Sequence, residues 1–260
     1  MRIKRYIASV IVLGLSAIAA KAQTDTTDGI LKSALLGLEY EINAGINIGG
    51  SAPMPIPGEI RKVLHYGPGL NLSIGASITK WISKDKKWGV SIMPRLETKG
   101  MDTKAKTKNY GMVIIRDGSE VSGNWTGKVS TDYRTSVLTL PIVGVYKIND
   151  RWKVNFGPYI GIVLHKEFKG YVYDGYLREG NPTGNKVVFE GDSQAPYDFS
   201  DELRTFQWGL QAGGSWRAFK HLSIQANLSW GLNDIFKSSF KTISFPLYPI
   251  YLNMGFGYAF

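Results

Sequence analysis

Histidine is the side chain whose ordinary pKa suits acid–base work near neutrality, and the chain carries His65, His165 and His221. A serine beside a histidine would serve nucleophilic catalysis. Serines are spread along the whole sequence, yet no Gly-x-Ser-x-Gly or His-Glu-x-x-His segment occurs. His65 reads as a loop residue, His221 as a turn residue, and His165 is expected to point inward near one rim of the fold. Glu39 and Glu41 are two residues apart and so share one face of a strand. Paired carboxylates can divide acid and base roles, but the same face also carries cations that would pair with them. The acids are otherwise scattered, and the chain has no Cys, which excludes disulfides and Cys-ligated metals. The expectation is therefore no catalytic residue, no metal and no cofactor.

The elements that position these residues follow a period of two. From Leu36 to Gly49 the apolar Leu36, Leu38, Tyr40, Ile42, Ala44, Ile46 and Ile48 alternate with Gly, Glu and Asn. The alternation returns from Leu70 to Ile78, from Trp88 to Leu96, from Trp152 to Leu164, from Phe206 to Trp216, from Leu222 to Leu232 and from Tyr248 to Phe260. Such alternation marks strands with one greasy and one polar face. Residues 134–148 read as an eighth strand, with apolar groups on both faces. Short connections at Ser83–Lys86, Asn149–Arg151 and Phe219–His221 alternate with long ones at 50–68, 99–133, 167–203 and 234–246. This predicts an all-β fold, an eight-stranded antiparallel up-and-down transmembrane barrel with short periplasmic turns and long extracellular loops.

A membrane barrel puts its greasy face outside. The apolar face here is almost free of charge and carries aromatics near the strand ends. Trp88, Trp152 and Trp216 lie by the short turns, and Phe206, Trp230 and Tyr248 by the opposite rim, as an aromatic girdle would. The polar face would then line the lumen, with Glu39, Glu41, Arg95, Glu97, Lys153 and Arg217 pairing as a polar network. Eight strands enclose a bore about wide enough to be filled by its own side chains.

The first segment reads as an address. Arg2, Lys4 and Arg5 precede the apolar stretch Ile7–Ala20, and Ala20-Lys21-Ala22 supplies the small residues of a cleavage site. Residues 1–22 are expected to be a cleaved signal peptide, 23–35 a short periplasmic segment and 36–260 the barrel. The formal charge of +10 drops to +6 once the four basic residues of the leader are gone. The basic excess is thus partly targeting, and no nucleic-acid partner is expected. Among the 260 residues, aromatics make up 12% and mean hydropathy is −0.11, which argues against disorder and against a multi-helix membrane protein.

The final strand reads Asn253-Met254-Gly255-Phe256-Gly257-Tyr258-Ala259-Phe260. Asn253, Gly255, Tyr258 and Phe260 look like the terminal-strand signal read by the barrel-assembly machinery. Together with Thr139-Leu140-Pro141-Ile142, Asn155-Phe156-Gly157-Pro158-Tyr159-Ile160-Gly161 and Phe206-Gln207-Trp208-Gly209-Leu210, this ending makes the chain resemble the PorT-like porin-family proteins, small outer-membrane β-barrels, from about Gly37 to Phe260. The resemblance implies an eight-stranded barrel in the outer membrane of a Gram-negative bacterium and transfers no catalytic motif. Some members are tied to protein secretion.

The loops are the expected working parts, since binding groups concentrate on loops held by rigid scaffolds. Lys99, Lys104, Lys106 and Lys108 suggest either contact with lipopolysaccharide phosphates or a solvated face. MVIIRDGSEV suggests a hairpin turning at Asp117-Gly118 beyond the membrane. Tyr171, Tyr173, Tyr176, Phe189, Tyr197 and Phe199 suggest loop–loop packing or a binding surface. The expected role is a scaffold with a plugged lumen, partnered by outer-membrane lipid and lipopolysaccharide. The alternatives are a small-solute channel and a lipid-modifying barrel enzyme.

Overall fold

The computed structural model describes residues 37–116 and 118–260, Asp192 by its backbone alone. The signal peptide over 1–22 and the segment 23–35 lie outside the described residues, as does Leu36. Eleven strands are found among the described residues: β1 (Leu38–Pro53), β2 (Ile60–Gly67), β3 (Asn71–Trp81), β4 (Trp88–Ile92), β5 (Arg95–Arg116), β6 (Ser119–Lys147), β7 (Trp152–Glu179), β8 (Lys186–Asp198), β9 (Phe206–Arg217), β10 (Leu222–Gly231) and β11 (Leu247–Ala259).

The strand neighbours close on themselves. The order runs from β1 through β3, β4 with β5, β6, β7, β9, β10 and β11, and β11 pairs back to β1. Here β4 and β5 make one barrel strand, interrupted at Met93-Pro94. Proline has no N–H to give, yet pairing continues across the break: Met93 N donates to Pro141 O and Ala76 N to Pro94 O, each at 3.0 Å. The result is a ring of eight antiparallel strands. Along β1 and β11 the register runs unbroken from Glu41 opposite Ala259 to Pro53 opposite Leu247. Closure leaves no open edge in the lipid, where an unpaired backbone group would cost several kcal/mol.

Facing follows the alternation. Ile42, Ile48, Leu72, Ile74, Ile160, Leu210, Leu228 and Met254 are exposed on the outside, while Asn43, Asn47, Ser73, Gln211, Asn227 and Asn253 are buried within. The strand at 134–148 is settled as well. Val137, Thr139, Val143 and Val145 point in, and Leu138 and Ile142 point out, so valines line the lumen there.

Three strands continue far past the ring. β5 and β6 stay in register to Arg116 opposite Ser119, and Gly118 has a φ of +78°. The positive φ is one that glycine adopts without penalty. β2 adds to the middle of β5, over Asp102–Thr107, and β8 to the distal half of β7. The long extracellular connections are thus largely sheet. The inner face of this sheet, a single 3-10 turn at Ser200–Glu202 and the 234–246 connection enclose the hydrophobic core, which includes Met112, Ile114, Trp125, Val172, Leu177, Phe189, Phe199 and Phe236. Phe236 packs edge-on against Phe168 at 4.9 Å between ring centres, and Trp125 against Phe189 at 5.6 Å. Phe189, Tyr197 and Phe199 are therefore core residues, while Tyr171, Tyr173 and Tyr176 of the same loop stay partly exposed.

This facing predicts the cost of single charges. Leu228→Arg places a cation on the lipid face, in register with Leu252 and Ala212, and should destabilise the barrel by about 2–4 kcal/mol. Ile115→Arg, on the exposed part of β5 near the hairpin tip, should stay within about 0.5 kcal/mol of the parent. Urea titration of the barrel refolded into lipid vesicles measures both.

Candidate functional site

The lumen holds its charges in two groups. Near the periplasmic end, Glu39 on β1 is ion-paired with Lys153 on β7. Counting round the ring, β1 and β7 are four strands apart in either direction, so this pair crosses the full bore. Arg217 adds a contact to Glu39 at 3.4 Å, and the Trp81 indole N–H donates to the same carboxylate at 3.2 Å. Glu41 accepts from Ser223 Oγ at 3.1 Å. The space left between these groups and Ser77, Thr79 and Asn155 is about 30 Å³, room for a water or two.

Deeper in, Arg95, Glu97 and Lys99 alternate along β5 and all point inward, with residue exposures of 5%, 2% and 2%. Lys99 Nζ meets Glu97 Oε1 at 2.8 Å, Arg95 Nε lies 4.0 Å from Glu97 Oε2, and Thr139 Oγ1 donates to Glu97 at 2.5 Å. Arg95 also reaches across to β9, donating to Gln211 Oε1 at 2.5 Å. Lys99 sits between the rings of Tyr159 and Tyr251, 5.6 Å from each centre, which favours a cation over an aromatic face. Neutral amides and hydroxyls fill the remaining cross-section. Asn253 Nδ2 donates to Asn47 Oδ1 at 2.8 Å and to Ser73 Oγ at 2.7 Å; Asn43 donates to Ser77 at 2.6 Å, and Asn155 to Asn227 at 2.9 Å.

The six charged residues singled out from the sequence thus all reach the interior, but as two clusters. Lys99 completes the inner one and corrects the reading that grouped it with the loop lysines. It shares the inward face with Arg95 and Glu97, and that alternation was its one available signal. His165 is a second correction: it is exposed on the outer surface. At the junction of β6 and β7 the register jumps from Ser136 opposite His165 to Val137 opposite Val163. One extra residue on β7 shifts all later side chains to the other face, so Val163 points in and His165 out.

The aromatics named for the girdle stand at the two rims of the outer face. Trp152 and Trp216 are paired in register with ring centres 6.2 Å apart, and Trp88 packs on Tyr146 at 4.5 Å. Phe206 and Trp230 are exposed at the far rim, and Tyr248 is half-buried. In the last strand Asn253 is a lumen residue, Gly255 pairs with Gly45, and Tyr258 and Phe260 are exposed with their rings 5.3 Å apart.

Above the membrane, the outward face of the extended sheet is basic. Lys62 pairs with Lys106, and Lys106 with Lys128, in one row across β2, β5 and β6. Lys104 lies two residues closer to the barrel and is exposed, like Lys62 and Lys106. Lys128 is held by Asp174 at 2.7 Å, which keeps its ammonium above the ordinary lysine range. On the inward side, Tyr197 bonds to Thr131 Oγ1 at 2.6 Å and donates to Ser130 O at 2.9 Å. Burial pushes that phenol well above its usual range, so it stays a neutral hydrogen-bonding group. Among the described residues no group of three or more His, Cys, Asp or Glu side chains converges as a metal site would.

With this geometry in place, the sequence comparison is direct. Residues 21–237 match the family described as outer membrane protein beta-barrel domain, and the chain belongs to that family. No protein of curated function gives a significant sequence match. Among solved structures, Ail, the attachment invasion locus protein of Yersinia pestis, is similar with a TM-score of 0.33 and 10% identity, covering 86% of this chain and 97% of its own. OprG from Pseudomonas aeruginosa gives 0.32 and 13%, covering 85% and 95%, and Neisserial surface protein A gives 0.30 and 10%, covering 86% and 97%.

The inner cluster makes a stability prediction. Glu97→Ala strands Lys99 and Arg95 without their carboxylate and should cost about 3–5 kcal/mol. Adding Lys99→Met removes one stranded charge, so the double variant should be more stable than Glu97→Ala alone. Equal stability of the two in vesicle-refolded protein would mean that Lys99 draws nothing from Glu97.

Proposed function

We propose that the protein is an outer-membrane scaffold whose barrel is plugged and whose folded extracellular cap does the binding. The observation that carries this reading is the set of contacts spanning the bore, Lys153 to Glu39 and Arg95 to Gln211, with Lys99 wedged between Tyr159 and Tyr251. A solute path would require the Lys153–Glu39 ion pair and the Arg95–Gln211 hydrogen bond to part, leaving charged groups in a narrow bore without their partners. On this reading the leader over 1–22 exports the chain, and Asn253, Gly255, Tyr258 and Phe260 engage the assembly machinery. The rim aromatics from Trp88 to Tyr248 anchor the barrel in the bilayer. The narrower PorT-like affiliation rests on the sequence segments alone, and a secretion role would rest on it in turn. On this reading the protein is not an enzyme and needs no cofactor.

The ligand class follows from the lysine row. Like charges directly opposite one another on a sheet are destabilising, and Lys62, Lys106 and Lys128 stand in line with, among the described residues, Asp174 alone closing an ion pair to them. Polyanions relieve that repulsion. Lipopolysaccharide phosphates are the anions at hand on the outer face of this membrane, so the cap is assigned to that surface.

Two measurements test the proposal. Purified protein in planar bilayers should give no steady conductance; stable, reproducible channels would replace the plugged scaffold by a channel. Lys62→Gln, Lys104→Gln and Lys106→Gln combined should weaken binding to lipopolysaccharide-containing vesicles several-fold at low salt and flatten its salt dependence. Unchanged binding would remove the lysine row from the function.

A further inference from the structure

Between the end of β1, the strand β2 and the inner face of the extended sheet lies a cavity of about 410 Å³. Val63 from β2, Met101 and Ala105 from β5, Val129 from β6, Phe168 from β7 and Leu247 from β11 form most of its apolar wall. Among the described residues β2 pairs with β5 alone, so no described strand covers its other edge, and Val63 and Tyr66 both line the cavity and stay about half exposed. These two residues mark the mouth. Met54 and Ile56, in the connection leading to β2, are exposed apolar side chains as well.

Ser51, Thr103, Thr107 and Thr131 interrupt the apolar lining, and of these four Ser51 has the buried oxygen without a partner. Ser51 at the end of β1 is 4% exposed, lines the cavity, and its Oγ has no hydrogen-bond partner. The Tyr133 and Tyr251 hydroxyls are close enough to interact with Ser51, but no partner of full hydrogen-bond geometry reaches Ser51 Oγ or the buried Tyr251 hydroxyl. Buried polar groups in folded proteins are almost always satisfied, and apolar walls gain dispersion contacts from a hydrocarbon chain laid against them. A ligand with a hydrogen-bonding head and a hydrocarbon tail matches both features at once. At about 410 Å³ the cavity is near the small end of the roughly 300–1,000 Å³ range of ligand pockets, which suits one chain and not a lipid with several.

We propose that this cavity binds a free single-chain amphiphile, entering past that edge of β2. Its tail lies against Met101, Ala105, Val129 and Phe168, and its carboxyl or hydroxyl head hydrogen-bonds to Ser51. Met101 suits such a site, because its unbranched thioether adapts to tails of differing length. The site is separate from the lysine row, on the opposite face of the sheet, and its existence does not depend on lipopolysaccharide binding.

Full-length protein in lipid nanodiscs, titrated with dansyl-labelled undecanoic acid, tests this. Saturable fluorescence above that of empty nanodiscs is expected, displaced by dodecanoic acid and by dodecanol. Ser51→Ala should weaken binding about three- to tenfold, the worth of one hydrogen bond. Ala105→Trp fills the cavity and should abolish binding; should that variant fail to insert, the smaller Ala105→Leu should still weaken it several-fold. A signal no greater than in empty nanodiscs, or binding indifferent to both the Ser51 and the Ala105 changes, would overturn the proposal.

Discussion

Everything in this molecule hangs on the requirement that no backbone group face hydrocarbon unpaired. The pairing of β1 with β11 meets it by turning a sheet into a ring, and the unbroken register from Glu41 to Pro53 holds that seam along its length. Once the ring is closed with eight strands, the bore is fixed at a width that side chains can span. The interior chemistry is then a matter of which side chains meet across it, and here they include four cations and three carboxylates.

The same closure separates two interiors along the strands. Below the outer rim the interior is polar, with Asn, Gln, Ser and Thr side chains bonded across it. Above the rim the interior is apolar and aromatic, from Tyr110 to Leu247. A water-soluble domain is built around such a core, and here it sits on top of the barrel, stabilised by burial of Phe and Trp side chains worth about 1.5–3 kcal/mol each. β5, β6 and β7 run continuously through both regions, so the cap is rigidly joined to the barrel. Its outer face is free to carry charge, and its inner face keeps the cavity beside β2.

The strands were legible because each must show lipid one face and lumen the other, and a period of two records that demand residue by residue. Seven of the eight ring strands are visible that way, and the eighth, 134–148, reads as a strand without the alternation. Its facing was not legible, because Val137, Val143 and Val145 line the lumen while Leu138 and Ile142 meet lipid, and both faces are apolar. His165 was misplaced because a bulge is one extra residue among many similar ones, and nothing at Leu164 announces it. Lys99 was assigned to a loop because a lysine among the TKAKTK lysines looks solvated; its burial depends on Glu97, Tyr159 and Tyr251 converging from three strands. The cap was legible only as a hairpin. Its core joins β5 through β8 to Ile235, Phe236 and Ile243, contacts between distant parts of the chain that no local pattern encodes.

The central claim is that the lumen is closed by its own side chains, and the absence of Cys from the sequence makes a direct test available. Single cysteines would be introduced as Ser91→Cys, which faces the lumen at 0% exposure, and Ile115→Cys, on the exposed cap. Each would be treated in intact vesicles with a charged, water-soluble thiol reagent. The account predicts rapid modification at position 115 and almost none at position 91 from either side of the membrane. Modification at position 91 at a rate near that of position 115, in a variant with normal heat-modifiable mobility, would contradict it.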